Sequence, residues 1–256
     1  VKHGRIVGAF VLVCLGAAVL GAAIWAAVRA GREPPLPAVL RVGIDPAYPP
    51  FAYPCEAGYC GLDVMLAERV AARLGVSITW VPLGYDGLYD ALVADRVDLV
   101  AAALVHDPAR EADVRFTIPY FNAGLVLVAP PGGPVSAMRA MAGHRLAVAY
   151  GADAHGEATR WSRRVGAFTL LAYENARTTL DAVRVGAADA ALVEHIEALL
   201  NTDRTTVVTE IVTVRPLVMA VSRRSPRLAA AVDGALRDLS ASGQLDAVIA
   251  AALATR

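Results

Sequence analysis

An arginine stands just beyond an apolar, strand-like run: Leu99 to Val105 empties into His106-Asp107-Pro108-Ala109-Arg110. A guanidinium is permanently charged, and its planar fork matches a carboxylate through two parallel hydrogen bonds. The C-terminal ends of buried strands in α/β sheets are where such groups meet ligands. Arg110 therefore reads as a candidate anion contact, set against the ordinary fate of a turn arginine, which is a solvated surface. Other reactive residue types are thinly spread. His106, His144, His155 and His195 lack the spacing of a metal site, so no metal is expected. The chain has no P-loop and no GxGxxG, and no cofactor is expected. Cys55 and Cys60 flank the turn-like Glu56-Ala57-Gly58-Tyr59. In an oxidising compartment they are placed to close a disulfide across a hairpin.

These residues need a scaffold, and the hydrophobic pattern supplies one. Leu40 to Ile44 reads as a strand that ends in a Pro-rich, aromatic loop, Asp45 to Tyr53. Leu62, Met65, Leu66, Val70 and Leu74 share one face of a helix. Strands at 77–81, 98–105 and 114–117 follow, with a short helix at 85–93. After the apolar run 124–130, the alternation starts again. Strands are expected at 145–149, 168–172, 188–192 and 205–208, and helices near 153–163, 178–185 and 193–200. Strands alternating with helices of this length imply mostly parallel α/β sheets. The pattern occurs twice, so two lobes are expected. The apolar strands 124–130 and 217–222 read as the crossings between them, and amphipathic helices at 226–239 and 244–253 close the chain.

The 256 residues suffice for one large domain or two small ones. Lys plus Arg equals Asp plus Glu at 24 each, so no basic excess points to nucleic acid, and none is expected as a partner. Lys2, His3 and Arg5 precede an almost unbroken apolar run from Ile6 to Val28. Its length approaches the ~20 residues of a membrane-spanning helix and exceeds a usual signal-peptide core. It reads as an apolar helix that directs export, either as a cleaved signal peptide or as a retained transmembrane anchor. Cys14 lies inside it and reads as a membrane-buried thiol rather than a lipidated one. Gly31 to Pro37 is a linker by composition.

From Leu40 onwards the chain resembles the family 3 solute-binding proteins of amino-acid ABC transporters, which have the type II periplasmic-binding fold. The motifs that carry the resemblance are LRVGIDPAYPPF at 40–51, Gly61-Leu62-Asp63 before a helix, YDGLYDALVADRVDLV at 85–100 and PAREADVRFTIPY at 108–120. MAGHRLAVAYGA at 141–152, VGAADAALVE at 185–194 and SGQLDAV at 242–248 add to them. The resemblance implies a periplasmic or extracellular receptor whose lobes close over a ligand by hinge motion, and ABC permease subunits as partners. The expected division is a signal or anchor segment with its linker at 1–38, a first lobe at 39–123 plus 222–256, and a second lobe at 124–221.

Roles transfer by position. The resemblance implies that Arg110 clamps the ligand α-carboxylate, helped by the backbone N–H groups of Ala103 and Ala152. It implies that Glu194 pairs with the α-ammonium, that Tyr48 and Tyr85 sandwich the ligand side chain, and that Asp45 meets a polar or cationic tip. The chain also departs from the family. Val105 and Asp107 stand where hydroxyls usually bind the carboxylate, Ala152 replaces a usual Thr, and Glu194 replaces Asp. Asp107, three residues from Arg110, is an expected neutraliser of the clamp. Asp45, Asp107 and Glu194 together favour a cationic ligand, a basic amino acid or an amine. Read from the residues alone, Asp63 and Glu194 are also acids that suit helix N-termini. The expected function is ligand capture for an importer, with no enzymatic activity. The alternatives are a membrane-anchored sensory module and a dehydratase-like enzyme on the same fold, with Glu194 as its general acid.

Overall fold

Two parallel-cored sheets form the molecule, as a computed structural model covering residues 35–201 and 205–254 describes. The apolar run Ile6 to Val28, with Cys14, lies outside the described residues. Among the described residues, no helix is long and apolar enough to cross a membrane.

The first lobe begins with β1 (Val39–Ile44), the hairpin β2 (Tyr53–Cys55) and β3 (Gly58–Cys60), α1 (Leu62–Leu74) and β4 (Ser77–Pro82). A 3₁₀ turn at Tyr85–Gly87 runs into α2 (Leu88–Val93), followed by β5 (Leu99–Val105), a 3₁₀ turn at Pro108–Arg110, β6 (Val114–Phe116) and β7 (Phe121–Asn122). The second lobe holds β8 (Leu125–Ala129), β9 (Arg145–Ala149), α3 (Asp153–Val165), β10 (Thr169–Tyr173), α4 (Ala176–Arg184), β11 (Ala190–Glu194), α5 (His195–Asn201) and β12 (Val207–Ile211). The chain then returns through β13 (Pro216–Ser222), α6 (Pro226–Ala241) and α7 (Gln244–Ala254). Strand order is β4-β1-β5-β13-β6, with β7 on β13, in one sheet and β10-β9-β11-β8-β12 in the other.

Strand β5 is apolar without alternation because both of its faces are covered. Leu99, Ala101 and Ala103 join the core under α1, α6 and α7, while Val100, Ala102 and Leu104 join the core under α2. The lobes repeat one device. Arg41 of β1 forks onto Asp98, and its Nη1 reaches the Asp95 carbonyl at 2.6 Å. Arg145 of β9 forks onto Asp189, and its Nη1 reaches the Ala187 carbonyl at 2.8 Å. Each pair ties the first parallel strand of a lobe to the approach of its central parallel neighbour.

The crossings differ from expectation. Strand β13 lies wholly within the first sheet, antiparallel to β5 and β6, and β8 lies wholly within the second. The connections between lobes are the short segments at 123–124 and 212–215. The first lobe therefore resumes at Pro216, not at 222, because the ladder to β5 is already formed there. Asn122 binds the two connections together. Its Oδ1 accepts from the N–H groups of Gly124 and Arg215 at 3.0 and 2.8 Å. The Thr213 hydroxyl accepts from Leu125 N–H at 2.8 Å.

Gly124 lets the connections touch, since a Cβ there would sit 2.0 Å from the Thr213 carbonyl oxygen. Gly124→Ala is expected to cost about 3 kcal/mol through overpacking against the backbone. A denaturant midpoint equal to the parent's would show that the crossing can relax.

Cys55 and Cys60 form the expected disulfide across the β2–β3 hairpin, with their Cα atoms 5.9 Å apart.

Candidate ligand-binding site

The first lobe presents its half of a site where β5 ends. A cavity of about 560 Å³ is lined by Tyr85, Asp86, Tyr89, Val105, His106, Asp107 and Arg110. Asp107 caps the following 3₁₀ turn, accepting the Ala109 N–H on Oδ1 at 2.9 Å. Among the described residues it makes no ion pair with Arg110, so the expected neutralisation is not seen. The Arg110 guanidinium instead lies over the Tyr89 ring, 5.0 Å from its centre. Cation–π contact leaves the hydrogen-bonding edge of the fork available to an anion.

Val105 turns an apolar side chain outward, 37% exposed, where a hydroxyl was usual. Burial raises the pKa of the Tyr85 phenol, and the Val105 backbone N–H lowers it. Asp107, Asp45 and Asp86 act on the same phenol, which places these acids around Tyr85. The Asp45 carboxylate accepts the N–H of Ala47 at 3.1 Å. Tyr48 and Tyr85 are 51% and 45% exposed, which rules out a purely core role for them. Tyr48 stacks on Phe51 at 5.4 Å between ring centres.

The Ala103 amide is a correction. It donates to Asp63 Oδ2 at 2.6 Å in a buried setting, so it is already occupied and is not presented to a ligand. Ala103 itself has φ +47, a left-handed conformation that a β-strand alanine seldom adopts. The register between β5 and β13 shifts at this level. Asp63, at the start of α1, is fully buried and also accepts the Tyr120 hydroxyl on Oδ1 at 2.5 Å. Burial pushes its carboxyl up to about 7, against the opposing pull of these two donors. Asp63 thus holds the bend that aims the end of β5 at the cavity. Gly61, at φ 124, lets α1 start against the aromatic loop: Leu62 and Asp63 donate their N–H groups to the carbonyls of Pro50 and Phe51.

The second lobe contributes a cavity of about 670 Å³ whose lining includes Gly151, Ala152, Asp153, His155, Thr213 and Arg215. Ala152 is the N-cap of α3. Its N–H makes only a long contact, 3.4 Å, to the Ala149 carbonyl, which leaves it available at a helix N-terminus. Glu194 is the last residue of β11, half-exposed. Burial raises its carboxyl pKa, Arg215 lowers it, and Asp153 and Glu197 raise it. Tyr48 of the first lobe lies in the field of both Glu194 and Arg215. The expected contacts therefore divide between the lobes. Asp45, Tyr48, Tyr85, Val105, Asp107 and Arg110 lie on one side, and Ala152 and Glu194 on the other.

Sequence reasoning missed Tyr89, Asp153 and Arg215. Tyr89 was findable, because it follows Tyr85 at i+4 and so shares its face of a helical stretch. The Arg215–Asp153 pair was not, since 62 residues separate its members.

Two α/β lobes, joined by two short crossings and each presenting polar groups at strand ends, define a two-lobed ligand-binding protein. The chain belongs to the bacterial extracellular solute-binding proteins, family 3, whose model matches residues 40–253. It is 27% identical over 165 residues to the lysine/arginine/ornithine-binding periplasmic protein of Escherichia coli (strain K12), a match that covers 64% of this chain and 63% of that protein. It is 27% identical over 217 residues to the L-cystine-binding protein TcyJ of the same organism, covering 82% of this chain and 80% of that protein. Among solved structures, an ancestral cationic amino acid solute-binding protein superposes with a TM-score of 0.62 at 26% identity, covering 83% of this chain and 94% of that one.

Proposed function

We propose that this chain is an extracytoplasmic receptor that captures a polar amino acid between its lobes and passes it to an ABC permease. A basic side chain is favoured. The observation that carries the reading is the polarity of the site. A guanidinium without a carboxylate partner among the described residues, Arg110, is offered from one lobe, and a half-exposed carboxylate, Glu194, from the other. That pair suits the two charges of a free amino acid. Asp45, Asp86 and Asp107 around Tyr85 suit a positive side-chain tip. The relatives named for lysine, arginine and ornithine and for cationic amino acids support the same ligand class. Attachment to the membrane through Ile6 to Val28 belongs to this proposal, as does the absence of catalysis.

Glu194 also favours a second reading, because burial raises its carboxyl pKa, the direction a general acid needs. Turnover of prephenate, lost in Glu194→Gln, would replace the receptor reading.

A thermal-shift panel of amino acids and amines tests the proposal. L-arginine, L-lysine or L-ornithine at 100 times its dissociation constant is expected to add ~2.7 kcal/mol of stability. If neutral amino acids stabilise more than these three, the cationic preference is wrong. If none of the amino acids stabilises, the receptor reading falls.

A further inference from the structure

Arg215 closes the second crossing, and its backbone N–H is fixed by the Asn122 side chain. Its guanidinium pairs with Asp153, at the first turn of α3, and lies 3.9 Å from Glu194. It lines the larger cavity, and its charge acts on Tyr48 of the first lobe. The other cationic groups of that wall are accounted for. Arg160 is paired with Glu157. His155 accepts the Gly151 N–H on Nδ1 at 3.2 Å. At Arg215 two carboxylates, Asp153 of the wall and Glu194 beside it, share one internal cation. That trio carries a single surplus negative charge.

We infer that Arg215 is a specificity-determining residue: its guanidinium fills the cation position between Asp153 and Glu194, so this wall accepts one ligand ammonium and repels a second positive charge. The inference rests on the amino-acid reading above and deepens it. A dibasic ligand is bound in one orientation only. Its α-ammonium meets Glu194, and its charged tip lies towards the acids around Tyr85, still within the field of Arg215, which reaches Tyr48 of the first lobe. Arg215 also tempers the preference for basic ligands. Two unit charges about 5 Å apart, at an effective dielectric between protein and water, interact strongly enough to change affinity about tenfold.

The test is Arg215→Gln in the full chain, titrated calorimetrically with L-arginine and L-glutamine. The ratio of arginine to glutamine affinity is expected to rise about tenfold over the parent's. Arg215→Lys keeps the charge and is expected to keep the parental ratio. A second readout needs no ligand: carboxyl NMR should show the Glu194 titration midpoint higher in Arg215→Gln than in the parent, with Asp153, Glu197 and Tyr48 as its other titrating neighbours. A parent that binds both amino acids while the variant's ratio is unchanged or lower overturns the role of Arg215. An unmoved Glu194 midpoint does the same. A parent that binds neither amino acid overturns the receptor reading itself. If Arg215→Gln does not fold, a changed ratio in Arg215→Lys overturns the charge argument and a kept ratio supports it.

Discussion

Arg110→Ala should weaken amino-acid binding by two to three orders of magnitude. A guanidinium that grips a carboxylate makes charge-assisted hydrogen bonds of about 1.5–3 kcal/mol each. Two of them correspond to roughly 3–4 kcal/mol once partial replacement by water is allowed for. The fold should scarcely notice. Arg110 is exposed, in a three-residue 3₁₀ turn, and its side chain lies over the face of Tyr89. Such a contact at an exposed site is worth ~0.5–1 kcal/mol. Calorimetry and ligand-free unfolding on the same samples separate these effects. Affinity within threefold of the parent's would remove Arg110 from the site. Arg110→Lys should fall between the two, because an ammonium restores the charge and not the fork.

Asp63→Ala should strongly destabilise the first lobe. It strips the acceptor from two buried donors, the Ala103 N–H and the Tyr120 hydroxyl. Each orphaned donor costs about 1–3 kcal/mol, so a loss of about 4 kcal/mol is expected. The bend at Ala103 also loses the contact that holds it in a left-handed conformation. Asp63→Asn is the finer probe, since it keeps the shape and removes the ionisation. In the folded protein, burial raises the Asp63 carboxyl from 3.8 to about 7. A group held above its unfolded value binds its proton more tightly when folded. Its favourable contribution is thus complete below pH 3.8 and declines as pH rises towards about 7. The decline attributable to Asp63 is on the order of 4 kcal/mol. Urea unfolding from pH 4 to 8 should show it in the parent and not in Asp63→Asn. Parallel profiles for the two proteins would mean that Asp63 does not titrate in this range.

Both predictions concern residues whose positions along the chain were readable but whose partners were not. Arg110 could be singled out because a charged residue after a continuous apolar strand marks a strand end, and strand ends are where open α/β sheets meet ligands. The periodicity that delimited α1 at Leu62–Leu74 and β9 at Arg145–Ala149 is local, arising from 3.6- and 2-residue repeats that need no knowledge of the rest of the fold. The disulfide was legible for the same reason, since a four-residue turn between Cys55 and Cys60 brings them together without help.

Contacts at long range were another matter. Ala103 was expected to offer its amide to a ligand, and a side chain 40 residues earlier takes that amide instead. Asp107 was expected to quench Arg110, and it caps its own turn, a competition between two nearby partners that spacing leaves undecided. Strand β13 looked like a crossing because an apolar strand carries no mark of which sheet will pair with it. Local pattern was enough for the elements, the double α/β repeat and the place of Arg110 at a strand end, because each follows from the periodicity or chemistry of neighbouring residues. The sheet that receives β13, the acid that holds Ala103 and the arginine between Asp153 and Glu194 depended on how distant segments pack, where hydrogen-bond geometry and burial choose among partners of equal chemical type.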